Sequence, residues 1–335
     1  MKVAVSNNAT PTPTPTATPR PAAEAGVGVG VGVGVGAGTD ADVDATADAS
    51  PAQAAAPGRW PWPAAVSSSV GLHAAAAGAA ALLPGAWPWA LGAMALNHAV
   101  LTAAGLWPRS TLLGPNVRRL PAAAAARGCM AITIDDGPDP EVTPAVLDLL
   151  AAHRAHATFF CIAEQARRHP ALLRRIAAAG HSVQNHSDRH RHHFSLMGPQ
   201  AMAREIAEAQ ALLADLTGTA PIAFRAPAGL RNPLLDPLLH RMNLHLVSWT
   251  RRGFDTRDAN PARVLARLTR GLAAGDILLL HDGHARHSND SSNHGDRAVL
   301  LDVLPPLLQR CQAAGLRPVT LADALPPRRP TSPSA

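Results

Sequence analysis

The stretch AITIDDGPDP occupies residues 131–140. Four apolar or neutral residues lead into two adjacent carboxylates, Asp135 and Asp136, and Gly137-Pro138 then ends any regular strand or helix. A strand sends successive side chains to opposite faces, so the two acids should point in different directions. Side-by-side acids repel unless a cation or a proton lies between them. The stretch therefore predicts a short buried strand whose C-terminal end asks for a partner.

Short apolar runs alternate with Ala/Leu/Arg-rich helical stretches from Cys129 onward. The expected strands are MAITI (130–134), HATFFCI (156–162), HSVQN (181–185), IAFRA (222–226), HLVSW (245–249), DILLL (276–280) and RPVTL (317–321). Helical periodicity runs through PEVTPAVLDLLAAH and ARRHPALLRRIAAAG. In the second of these, Leu172, Leu173, Ile176 and Ala177 share a face while Arg174 and Arg175 look outward. Gly180 and Gly218 stand where helix C-termini need them. Alternating strands and helices predict a parallel sheet with right-handed crossovers. The number of repeats points to a closed or nearly closed β/α barrel, with an open doubly wound sheet as the alternative. In a barrel, reactive groups belong just past the C-terminal ends of the strands. In those positions stand Asp135-Asp136, NHSDRH, RAPAG, WTRRGFD and HDGH. Such clustering is hard to obtain by chance in a chain with only 16% charged residues.

His186 and His190 are spaced i, i+4, so one helical turn would bring both imidazoles to one side. With an acid from the first strand end they make a two-His, one-carboxylate set that leaves coordination positions open. His192 and His193 are alternative ligands, and the chain holds 16 histidines in all.

In order, TIDDGP, NHSDRH, RAPAG, GFD and LLLHD resemble the motifs of the polysaccharide deacetylase family, also called the NodB-homology domain or carbohydrate esterase family 4. The resemblance spans about residues 128–324. It implies a distorted (β/α)7 barrel and metal-dependent hydrolysis of an N-acetyl, or other N-acyl, group on an amino sugar. Carried over to this sequence, it makes Asp136, His186 and His190 the metal ligands and Asp135 the base that deprotonates the metal-bound water. One acid would thus be neutralised by the cation while its neighbour stays free to take a proton. Arg225 would orient that base, His281 would protonate the leaving amine, and Asp255 would hold His281 protonated. Pro227, Ala228 and Gly229 would shape the sugar subsite, with the Ala228 N–H on the oxyanion, and Leu279 or Leu280 would line the acyl pocket. Two positions depart from the family pattern: Ala228 and Thr256 stand where many relatives carry an aromatic ring. Asp282 and His284 are read as supporting groups or as the start of a flexible loop. The cofactor implied is one divalent ion, zinc first, with cobalt, nickel or manganese also suited to these donors. The substrate implied is an N-acetylated polysaccharide, oligosaccharide or lipid-linked amino sugar. A catalytically silent carbohydrate-binding protein is the alternative, and a metal-dependent nuclease or phosphatase a weaker third.

The first third of the chain reads differently. Residues 1–57 contain PTPTPTATP and a Val-Gly repeat, a composition that predicts a disordered tail, as does 325–335. Over residues 60–108, Ala64–Leu83 and Trp89–Trp107 each lack Asp, Glu, Lys and Arg, and tryptophans stand near their ends. These features predict an apolar helical hairpin that attaches the protein to the cell membrane. One span, or two helices packed on the soluble domain, are the alternatives. Under the positive-inside rule a hairpin leaves both ends in the cytoplasm, whereas a single span places the C-terminal domain outside. No cleavable signal peptide is expected. The net charge is +6, Lys2 is the single lysine and Tyr is absent, so nucleic acid is not an expected partner. Cys129, Cys161 and Cys311 are too far apart for a CxxC site and are expected to be buried thiols.

Overall fold

The computed structural model describes residues 60–282, 298–326 and 328. The tail expected over 1–57, the stretch around His284 and most of 325–335 lie outside the described residues.

The barrel is built on β1 (Cys129–Asp135), β2 (Thr158–Cys161), β3 (Ser182–Asn185), β4 (Ala223–Phe224), β5 (His245–Leu246), β6 (Arg251–Arg252), β7 (Ile277–His281) and β8 (Arg317–Pro318). The strand order is β5-β4-β3-β2-β1-β7-β6, with β8 paired to β1, and every pairing is parallel. The strand led by Ile132 and Ile134 is therefore central, as an apolar run buried on both faces should be. Its alternation sorts the interior. Ile132 and Ile134 meet the helices outside the sheet, packing with Val146, Leu150, Leu304 and Leu307. Ala131 faces the concave side with Phe160, Val247 and Ile277. Thr133 and Asp135 share that inner face with Ala131 by the two-residue period, which carries Asp135 to the mouth of the barrel.

Two hairpinned helices come first, α1 (Ala64–Leu82) and α2 (Trp87–Leu106), followed by α3 (Ala122–Ala126). Around the sheet lie α4 (Thr143–Ala152), α5 (Ala163–Arg168), α6 (Pro170–Ala178), α7 (Pro199–Thr217), α8 (Leu235–Arg241), α9 (Pro261–Thr269), α10 (Val299–Ala313) and α11 (Leu321–Ala324). The helix expected from ARRHPALLRRIAAAG breaks at His169, because a residue before proline is pushed out of the helical region. Gly218 ends α7 in the left-handed conformation at φ 70°.

The sheet curls into a half-barrel and does not close. Strict alternation fails between β5 and β6, which no helix separates, and these strands form the two edges. The gap is spanned by residues 117–120. Val117 N–H donates to Leu246 O at 2.9 Å and Ser248 N–H returns to Val117 O at 2.9 Å. On the other side Leu120 N–H donates to Gly275 O, just before β7, at 2.8 Å. Irregular chain thereby pairs edge groups that would otherwise be open.

Helices α1 and α2 carry no Asp, Glu, Lys or Arg and pack mainly against each other. Leu82, Leu91, Leu96, Val100 and Leu106 are exposed along them. Each helix is long and apolar enough to cross a membrane. A polar seam joins them: Asn97 Nδ2 donates to Ser69 Oγ at 2.8 Å, and the Nε2 atoms of His73 and His98 lie 3.2 Å apart. Both open ends are tied to one part of the domain. Trp60 Nε1 donates to Asp236 Oδ2 at 2.8 Å, and Arg231 N–H donates to Gly105 O at 3.1 Å.

Candidate active site

At the C-terminal ends of the strands a cavity of about 840 Å³ opens. Asp135, Asp136, His186, His190, Ala228, Gly229, Leu279 and His281 all line it. Of the residues singled out in the sequence, Arg225 and Asp255 sit behind its wall, each holding a lining group. Pro227 is buried and does not line the cavity. Leu280 turns away: alternation along β7 sends it into the helix-side core with Ile134 and Leu304, so only Leu279 reaches the cavity.

Asp135 and Asp136 diverge as adjacent strand-end residues must. Asp135 ends β1 in the regular register, while Asp136 takes φ 79°, which swings its carboxylate toward the histidine loop. Arg225 is only 1% exposed and spends its donors on named partners. Its Nη1 donates to Asp135 Oδ1 at 2.6 Å and to Thr133 Oγ1 at 2.8 Å, and its Nη2 donates to Ser248 O at 3.0 Å. The guanidinium also stacks over Phe160, with Cζ 4.1 Å from the ring centroid. Asp135 is thereby fixed through Oδ1, and Oδ2 is left facing the cavity.

His186 and His190 do meet, but not on a helix. The NHSDRH segment is a loop in which Ser187 and His190 have φ 69° and 48°. His190 N–H closes it by donating to Ser187 Oγ at 3.0 Å, and Ser187 N–H donates to Asn185 Oδ1 at 2.9 Å. The i, i+4 spacing signalled proximity through a tight polar turn. The rings end 4.7 Å apart. His192 lines the same cavity, but its ring is 6.4 Å from that of His190, and it is outside the cluster that could hold an ion.

Asp136 Oδ1 lies 3.4 Å from His186 Nε2 and 3.6 Å from His190 Nε2. One donor atom from each residue falls within 4.8 Å of the others. His186 Nδ1–H donates to the Arg225 carbonyl at 2.8 Å, and a carbonyl only accepts, so Nε2 keeps its lone pair toward the cluster. Asp136 Oδ1 is buried with no hydrogen-bond partner. Burial pushes the His190 pKa down to about 4, aided by the neighbouring charge of His186, and leaves a neutral donor. For Asp136 burial acts upward, yet the facing imidazoles outweigh it and hold the carboxyl below the usual range. For His186 burial acts downward, and the charges of Asp135 and Asp136 outweigh it, so the two carboxylates favour on Nε2 either a proton or, with the ring neutral, a cation in its place. An unpartnered buried carboxylate oxygen facing two imidazole lone pairs fits a divalent cation.

Across the cavity His281 ends β7. Its Nδ1–H donates to Asp255 Oδ1 at 2.9 Å, and its backbone N–H donates to Asp255 Oδ2 at 2.7 Å. Burial lowers the His281 pKa, but the hydrogen bond and charge of Asp255 raise it overall. Its Nε2 is the ring nitrogen left for the cavity.

Asp282 has a place that the motif did not convey. Its backbone N–H donates to Asp135 O at 2.7 Å, and its Oδ2 accepts from Thr143 Oγ1. Burial pushes its carboxyl up to about 7. It lies against Gly137, in the turn that carries Asp136.

A family model described as polysaccharide deacetylase matches residues 122–247. A peptidoglycan-N-acetylglucosamine deacetylase of Bacillus cereus is 34% identical over 199 residues, covering 58% of this chain and 87% of that protein. A chitooligosaccharide deacetylase of Bradyrhizobium sp. is 34% identical over 187 residues, covering 53% of this chain and 84% of that protein. Among solved structures, the Bc1960 peptidoglycan N-acetylglucosamine deacetylase in complex with 4-naphthalen-1-yl-N-oxidanyl-benzamide matches with a TM-score of 0.56. It is 25% identical, over 64% of this chain and 95% of that one.

Proposed function

Because this chain belongs to the polysaccharide deacetylase family, we propose that it hydrolyses the N-acetyl group of an N-acetylglucosamine-containing glycan with one divalent cation. The relatives act on peptidoglycan or chitooligosaccharide, and both are candidate substrates. The observation that carries the reading is the buried, unpartnered Asp136 Oδ1 set between two imidazoles, beside a second carboxylate that is held separately by Arg225.

In this reading Asp136, His186 and His190 hold the ion. When bound, a divalent cation brings the pKa of water from ~16 toward ~7 and polarises the acyl carbonyl. Asp135 takes the proton of the attacking water at Oδ2, because Oδ1 is committed to Arg225. The developing oxyanion is met by the Ala228 N–H at the cavity wall. His281 passes its Nε2 proton to the departing amine nitrogen, and Asp255 stabilises the imidazolium through Nδ1. Leu279 bounds the space for the acetyl methyl group. Zinc is the first candidate ion, and cobalt, nickel and manganese suit the same donors.

The hairpin of α1 and α2 is proposed as the membrane anchor. Pro108, just beyond α2, packs on Gly229 at the cavity rim, where an added Cβ would come within 2.7 Å of Pro108 Cβ. An inserted hairpin would therefore hold the cavity close to the lipid surface, where cell-envelope glycan or lipid-linked amino sugar is reached.

Acetate release from N-acetylated glycan, measured with and without added zinc, tests the proposal. Metal-dependent release that Asp135→Asn abolishes is expected. Zinc and glycan binding without turnover would favour a silent carbohydrate-binding protein instead.

A further inference from the structure

The cavity wall between Trp249 and Arg257 carries two guanidinium groups that the reaction above does not use. Arg252 leaves β6 half-buried, with Cζ 5.4 Å from the Trp249 ring centroid and 5.1 Å from that of Phe254. Its Nε is buried without a hydrogen-bond partner. Arg257 lines the same cavity and is exposed. Among the described residues neither forms an ion pair, although their neighbours do: Arg251 meets Asp276 at 2.6 Å and Arg263 meets Asp258 at 2.7 Å.

Charge accounting singles the pair out. Asp135 is matched by Arg225, Asp255 by His281 and Glu164 by Arg168. Asp136 would be matched by the cation, and Arg189 leans on Asp188. Arg252 and Arg257 have no such partner: Asp139 of the lining accepts from the backbone N–H groups of Glu141 and Val142, Asp282 accepts from Thr143, and Asp255 and Asp135 act on Arg252 through their charge alone. A guanidinium stays charged in proteins, and a partly desolvated one with a bare N–H is costly unless something accepts from it. Stacking on two rings offsets part of that cost and fixes the plane of the fork, the geometry that grips two oxygens of a carboxylate or phosphate with two bonds.

We propose that Arg252 and Arg257 form a receptor for an anionic group, phosphate or carboxylate, that the substrate carries next to its N-acyl sugar. The inference rests on the deacetylase reading and narrows its substrate class. A carboxylate would come from an acidic sugar within the glycan, and a phosphate from a linkage that joins the sugar to a carrier.

The full-length, zinc-loaded protein in detergent is assayed on three substrates: neutral chitotetraose, a glycan containing N-acetylmuramic acid, and N-acetylglucosamine joined through phosphate to a short isoprenyl chain. One of the anionic substrates should exceed chitotetraose in kcat/KM by roughly 10- to 100-fold, the worth of charge-assisted hydrogen bonds, expressed mainly in KM. Which one it is identifies the source of the anion. Arg252→Gln should erase that ratio, Arg252→Lys should keep part of it, and Arg174→Gln, an exposed charge on α6, should leave it alone. Equal kcat/KM on all three substrates, or an Arg252→Gln variant that slows all three by one factor, would overturn the receptor. If nothing is deacetylated, the parent reading falls. Binding of N-acetylglucosamine 1-phosphate that Arg252→Gln abolishes would then still sustain the receptor, and no binding would overturn it too.

Discussion

His186 donates its Nδ1 proton to the backbone carbonyl of Arg225 at 2.8 Å, and the side chain of that same Arg225 grips Asp135 at 2.6 Å. One residue at the end of β4 therefore orients a candidate metal ligand with its carbonyl and the candidate base with its guanidinium. Arg225→Lys should be far from conservative, because an ammonium cannot reach Asp135, Thr133 and the Ser248 carbonyl together. Arg225→Gln would leave Asp135 buried and uncompensated, at a cost of about 3–5 kcal/mol. Thermal unfolding should show that loss, and kcat should fall on the order of 100-fold in Arg225→Lys. A lysine variant with full kcat would remove Arg225 from the orienting role.

The alkaline side of the pH profile should report His281. Asp255 raises its pKa against the downward pull of burial. In the proposed reaction the protonated form is the proton donor, so activity should be present below that raised pKa and lost as pH climbs through it. Asp255→Asn removes the upward pull and keeps the burial, so the alkaline limb of kcat/KM should move to lower pH. An alkaline limb that stays in place in Asp255→Asn would show that His281 does not set it.

Metal binding can be read without turnover. The donors of Asp136, His186 and His190 already face one another, so an ion that binds the folded chain alone should raise Tm. At 100 times its dissociation constant it would add about 2.7 kcal/mol. Zinc should therefore stabilise the wild-type protein, a chelator should reverse the effect, and His190→Ala should abolish most of it. An equal zinc shift in His190→Ala would place the ion elsewhere.

Gly137 tests how firmly the acidic turn is held. An added Cβ would press into the Asp282 carboxylate, with Cγ 3.1 Å away, and Asp282 is itself pinned by Thr143 and by the Asp135 carbonyl. Gly137→Ala should cost about 1–3 kcal/mol and displace Asp136 from the histidines. Pairing it with Asp282→Ala removes the obstructing oxygens, so the double variant should lose less than the two single losses added together. Strict additivity of the two changes would argue against that contact.

Much of this was legible in the chain itself. The central strand announced itself because Ile132 and Ile134 are apolar and Asp135 ends the run, and the acids diverge because a strand alternates. Strand β6 escaped because Arg251 and Arg252 have no apolar pattern: the strand exists only by pairing with Leu278 and Leu279 at a sheet edge. The histidine loop was found by spacing for a reason other than helicity, since positive φ at Ser187 and His190 made the turn. Leu280 was placed with Leu279 because sequence alone does not fix which face of a strand looks inward. Arg252 stands in WTRRGFD at a strand end, but nothing in that stretch sets it apart from Arg251: an unpaired arginine is recognised only once its possible partners have been located.

The hairpin makes the last prediction. Trp60, which precedes α1, and Gly105, near the end of α2, bind Asp236 and Arg231, so both open ends sit against the domain. The turn around Gly85 joins the far ends, and helices of this length reach about 30 Å, the thickness of a bilayer's hydrocarbon core. If the hairpin is inserted, the turn emerges on the side opposite the barrel. The native cysteines at 129, 161 and 311 are all buried, so a thiol reagent that cannot cross the membrane should report only cysteines placed on the surface. Leu83→Cys at the turn and Leu196→Cys on the barrel, exposed at 59% and 84%, should label from opposite faces of sealed vesicles. Leu96→Arg, midway along α2, should add about 2.5–3.5 kcal/mol to the cost of insertion and shift protein to the soluble fraction. Labelling of both cysteines from one face, with the Leu96→Arg protein distributed like wild type, would make the two helices a surface hairpin that no bilayer covers.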